Sequence, residues 1–98
     1  MTVFKPSLPD ALRRVRKARG LSQEAFSDVS SRTYLSSLER GLKSPTLSKL
    51  ADLCDVMEIH PLTLLTLAYA GDNAERVEER LMEVRREIYK IISAENDD

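Results

Sequence analysis

The placing of three glycines does most to limit what this chain can become. Gly20, Gly41 and Gly71 divide it into stretches in which apolar residues recur three or four positions apart. That is the period of an α-helix, and a glycine just past such a run is a frequent left-handed stop. Pro9 and Pro61 stand where helices would start, a position that tolerates a missing N–H. Strand-type alternation, internal repeats and low-complexity tracts do not occur in the 98 residues. The pattern predicts an all-α fold with five short helices and then one long one.

Met1 to Ser7 reads as a loose arm, with Pro6 and Pro9 delaying the first helix. Leu8, Leu12, Val15 and Ala18 then share a face as far as Gly20, and Asp10 suits the positive end of that helix. Ser22 is a cap candidate for a second helix carrying Gln23 to Ser27. A polar break follows at Asp28 to Ser31. Leu35 and Leu38 mark a third helix, closed at Gly41. Ser44, Pro45 and Thr46 start a fourth, lined by Leu47, Leu50, Leu53, Cys54 and Met57. Ile59 leads to Pro61 and a fifth helix with Leu62, Leu64 and Leu65, running toward Tyr69. Asp72, with Glu75 three residues later, is the cap expected for a last helix from about Ala74 to Ser93, with Ala94 to Asp98 fraying. The chain thus divides at about residue 71 into a compact unit, 1–71, and a helix, 72–98.

The net charge is −1, from 15 basic and 16 acidic residues, which taken alone argues against a nucleic-acid partner. The sum hides a gradient. Residues 1–50 hold ten basic and four acidic residues, a net +6, whereas residues 51–98 come to −7. Such asymmetry points to a basic working face and an acidic remainder. The longest mostly apolar stretch, Pro61 to Ala70, is too short to span a bilayer. A single cysteine, Cys54, excludes an internal disulfide and fits a reducing compartment, so the expected location is cytoplasmic.

The middle of the chain carries the functional signal. Gly20-Leu21-Ser22-Gln23-Glu24-Ala25-Phe26, Ser31-Arg32-Thr33-Tyr34-Leu35-Ser36, Leu38-Glu39-Arg40-Gly41 and Ser44-Pro45-Thr46-Leu47 occur in that order. Together they closely resemble the phage-repressor-type (XRE, Cro/cI-like) helix-turn-helix family, over about Leu12 to Leu65. The resemblance implies a five-helix, lambda-repressor-like DNA-binding domain within residues 1–71, with the helix near Ser31 to Arg40 in the major groove. It further implies double-stranded DNA as partner and Gln23 as a phosphate grip. The residue chemistry agrees. Ser31, Arg32 and Thr33 open the helix, where readers of this kind meet bases. Arg forks onto guanine, hydroxyls donate or accept, and a threonine methyl meets thymine. Ser36 and Ser37 are small enough for close approach, and Arg40, Lys43 and Ser44 are placed to hold the flanking backbone. Tyr34 suits either a phosphate contact or a half-buried ring with its hydroxyl in water. Glu39 is expected to pair with a nearby cation. Arg13, Arg14, Arg16, Lys17 and Arg19 read as a solvated face, with phosphate contact open to one or two of them. One departure stands out: family members usually have two more residues, with a glycine, between the Gln-bearing helix and the reading helix. Ser27 also stands where the family prefers alanine.

No catalytic constellation is present, and no metal or cofactor is expected. His60, the only histidine, precedes Pro61 and suits a cap or surface role; Cys54 falls on an apolar face and reads as a buried structural thiol. In the last helix Val77, Leu81, Val84, Ile88 and Ile91 form a seam of about two heptads, widened by Met82, Tyr89 and Ile92. The seam could pack on its own domain; its width and the two-fold habit of such DNA readers favour a homodimer at least. A parallel pair would set Arg80 against the partner's Arg85. An antiparallel pair centred near Met82 would oppose Val77 with Ile88 and Leu81 with Val84, bringing Glu78 to Arg85 and Arg80 to Glu87. The function read from these features is a sequence-specific transcriptional regulator on paired half-sites. The alternative is an antitoxin-type interaction module whose acidic last helix binds a partner protein, with autoregulatory DNA binding.

Overall fold

The computed structural model describes residues 6–97; the first five residues of the expected arm lie outside them. Five α-helices and one 3-10 turn make up the described residues: α1 (Leu8–Ala18), the 3-10 turn (Gln23–Phe26), α2 (Arg32–Glu39), α3 (Leu47–Met57), α4 (Pro61–Ala70) and α5 (Ala74–Asn96). The fold is all-α, and no strand occurs among the described residues.

Each start has a chemical reason. Ser7 caps α1, accepting from the Asp10 amide at 3.3 Å. Its own N–H donates to the Ala68 carbonyl at 3.0 Å, so the end of the expected arm is tied down to α4. Ser31 caps α2 and Thr46 caps α3, each accepting from an amide three residues on at 3.1 Å. His60 caps α4 through Nδ1, 3.0 Å from the Leu62 amide, with Pro61 at the first helical position. Two cap expectations are corrected. Ser22 has the extended backbone of a cap but no side-chain bond. For α5 the cap is Asn73, which takes the amides of Glu75 and Arg76, and not Asp72. That helix also runs three residues past Ser93.

Gly20 and Gly41 stop α1 and α2 with φ of +70° and +74°. The stop of α3 carried no signal. Glu58 takes the left-handed conformation at φ 59°, and the Ile59 amide returns to the Cys54 carbonyl.

The core gathers Leu12, Phe26, Leu35, Leu38, Leu53, Cys54, Met57 and Leu64. In α1 the buried face is Ala11 and Leu12 with Leu8 and Val15 packed beside it, whereas Ala18 is exposed, contrary to the stripe read from sequence. A short turn cannot persist on its own hydrogen bonds, so the full burial of Phe26 is what holds the 3-10 turn in place. Burial, with Asp55 adding to it, pushes the Cys54 thiol up, so the sulfur stays protonated and unreactive. α1 packs on α4 and α2, and α5 packs on α4.

Candidate nucleic-acid interface

α2 is fastened along one side and open along the other. Leu35, Leu38 and Glu39 are buried, while Arg32 and Thr33 are exposed and Ser36 and Ser37 are half-buried. The fastening is both apolar and ionic. Arg16 Nε and Nη2 donate to the two carboxylate oxygens of Glu39 at 2.6 and 2.9 Å, and Nη1 donates to the Leu21 carbonyl at 3.0 Å. Gln23 Nε2 adds a contact to Glu39 at 3.4 Å. The carboxylate bond raises the Arg16 guanidinium further above its already high ordinary range.

This corrects the reading of Arg16 as part of a solvated face. Its position four residues after Leu12 could have revealed it, because that spacing returns to the buried side of a helix. Glu39, four after Leu35, follows the same rule, and its expected cation is Arg16. Gln23 sits half-buried at the start of the 3-10 turn beside that ion pair.

At the other end of α2 the groups are open. Ser31 Oγ accepts from the Tyr34 amide, leaving the Arg32 and Thr33 amides with no carbonyl one turn back. Arg32 Nη1 lies 3.6 Å from Glu24 Oε1, a contact that sequence reading did not anticipate. Tyr34 is half-buried, and the Lys43 ammonium lies 5.6 Å from its ring centroid. Arg40, Lys43 and Ser44 are exposed in the loop that follows.

The connection between Gln23 and Ser31, read above as short for the family, is compact: the helix expected over Gln23 to Ser27 is a 3-10 turn of four residues, Gln23–Phe26. Ser27 to Ser30 then turn the chain, the Val29 and Ser30 amides both donating to the Phe26 carbonyl at 2.9 Å.

The seam of α5 lies far from these residues in sequence and is mostly uncovered. Val77 is half-buried. Leu81, Val84, Ile88 and Ile91 keep 46–59% of their surface, and Met82, Tyr89 and Ile92 are equally open. Packing on the chain's own domain therefore accounts only for the root of the helix. Two of the charges counted for pairing are engaged locally: Arg80 with Glu83 at 3.3 Å, and Arg85 over the Tyr89 ring at 5.3 Å.

A short turn feeding a helix whose back is buried and whose first turn is open and polar defines a helix-turn-helix DNA-binding protein. A family model described as helix-turn-helix matches residues 12–64, and the chain belongs to this XRE-type helix-turn-helix family of DNA-binding regulators. It is also similar to a solved structure, the restriction-modification controller protein C.AhdI from Aeromonas hydrophila. The identity is 32%, over 59% of this chain and 91% of that one, with a TM-score of 0.56. The comparison with curated proteins returned no significant match. α5 lies beyond the matched family segment. Among the described residues no helix is long and apolar enough to cross a membrane.

Proposed function

We propose that this chain is a sequence-specific, cytoplasmic transcriptional regulator that reads paired DNA half-sites as a two-fold dimer. The observation that carries the DNA reading is the contrast along α2 between the buried Leu35, Leu38 and Glu39 and the exposed Arg32 and Thr33. Arg32 forks onto a guanine, and Thr33 with Ser31 completes the base-facing turn. Ser36 and Ser37 permit close approach. Gln23, Tyr34, Arg40, Lys43 and Ser44 hold the phosphates on either side. Residues 1–71 are the reader and 72–98 the assembly element. The half-exposed stripe Leu81, Val84, Ile88 and Ile91, rooted at Val77, supports antiparallel pairing of α5 across the two-fold axis. The likeness to a controller protein supports a task in regulating genes.

Selection of bound duplexes from a random pool tests the reading. A symmetric pair of half-sites separated by about 34–36 Å, or a multiple of it, is expected. Enrichment of nothing, or of an unpaired site, overturns it. Affinity should fall linearly with the logarithm of salt concentration as counterions are released. Leu81→Asp should convert the dimer to monomers in sedimentation; an unchanged mass removes α5 from the interface. The same apolar, acidic helix favours one second reading, an antitoxin-type module, and a basic protein captured through α5 in place of a second copy would select it.

A further inference from the structure

Lys49 is at odds with its own helix. It is the third residue of α3, in the first turn, where the helix dipole disfavours positive charge. The residue is nevertheless half-buried, and its ammonium donates to the Val29 carbonyl. Val29 belongs to the connection between the 3-10 turn and α2, packs against the core, and stands two residues before the cap of α2. The 3-10 turn and α4 are what α3 chiefly packs on. The Lys49–Val29 bond is therefore a polar tie from α3 to the segment that enters the reading helix. A lysine that leaves water for one carbonyl also gives up side-chain entropy, a cost that an idle surface lysine does not meet.

We propose that Lys49 is a positioning residue, clamping the Val29 carbonyl and with it the segment between the 3-10 turn and α2. The clamp fixes the tilt at which Ser31, Arg32 and Thr33 meet DNA, so the proposal rests on the DNA reading of α2 given above. Lys49 itself touches no phosphate, because its charge is directed inward.

The test compares a duplex selected from a random pool with a random duplex, over a salt series, using the full chain. Lys49→Met keeps the stem and removes the ammonium. It should lower the ratio of selected to random affinity about tenfold, the size of one good bidentate base contact, and leave the salt slope unchanged. Lys49→Arg, which can reach the same carbonyl, should restore most of the ratio. A salt slope reduced by about one with an unchanged ratio would make Lys49 a phosphate contact and overturn the proposal. So would a ratio and slope that both stay put. A wild-type chain that does not discriminate the two duplexes sinks the DNA reading instead. In that case, or if Lys49→Met does not fold, scalar coupling between Lys49 Nζ and the Val29 carbonyl carbon in the wild-type NMR spectrum decides on the clamp. Its detection supports the bond, and a freely exchanging, solvent-like ammonium overturns it.

Discussion

At the carboxyl end of α2, Glu39 keeps 4% of its side-chain surface and Arg16 12%, and two short hydrogen bonds join them. At the amino end, Arg32 and Glu24 keep 73% and 77%, at a separation of 3.6 Å. The chemical groups are the same, and their surroundings reverse what they do. In the buried pair little water is left, so Glu39 depends on Arg16 with Gln23 beside it, and Arg16 depends on Glu39 and the Leu21 carbonyl. In the exposed pair water and salt screen the attraction, and the guanidinium stays open to another partner, on the proposed reading a base. One arginine is a part of the fold, and the other is held only loosely at its surface.

The largest effect should come from breaking the buried pair. Arg16→Ala leaves Glu39 charged and enclosed, and removing one partner of such a pair typically costs about 3–5 kcal/mol. A domain of this size has about 5–15 kcal/mol in total, so chemical denaturation should show a large fraction of the stability gone. Discrimination between DNA sequences would fall with it, since α2 loses its fastening. A loss below about 1 kcal/mol would mean that Glu39 finds water or another partner, and the contrast between the two ends would collapse.

Arg32→Ala should invert that outcome. Stability is expected to change by less than about 0.5 kcal/mol, as for surface positions generally. Affinity for the selected duplex should drop by about 1–3 kcal/mol while affinity for random DNA falls much less. Equal losses on both duplexes would remove Arg32 from base readout and leave it a phosphate contact.

These pairs also mark where sequence reading worked and where it stopped. The stops at Gly20, Gly41 and Gly71 and the start at Pro61 were legible because glycine and proline act through their own backbone restrictions. Cys54 was legible for a different reason, since its helical register with Leu50, Leu53 and Met57 leaves it nowhere but the core. The open first turn of α2 followed from the motif around Ser31, Arg32 and Thr33. Asp72 and Asn73 are both cap formers, and the choice between them rests on backbone geometry that no local signal encodes. Glu58 stops α3 in a left-handed conformation for which glutamate gives no warning. The 3-10 turn over Gln23–Phe26 was not legible, because it depends on Phe26 reaching the core. The stripe of α5 has the same period as that of α1. Period states which side chains need cover and is silent on what supplies it.

The smallest effect is the one that isolates the exposed pair. Glu24→Gln keeps the shape of the side chain and removes its charge, and a screened surface pair is worth about 0–1 kcal/mol. Stability and selected-duplex affinity should therefore both shift by less than about fivefold in equilibrium constant. Random-DNA affinity should rise slightly, because one negative charge beside the reading turn no longer opposes the phosphates. A loss on the selected duplex as large as that of Arg32→Ala would show that Glu24 holds the guanidinium in its reading pose. The amino end of α2 would then depend on its carboxylate as the carboxyl end does, and exposure would no longer separate the two pairs.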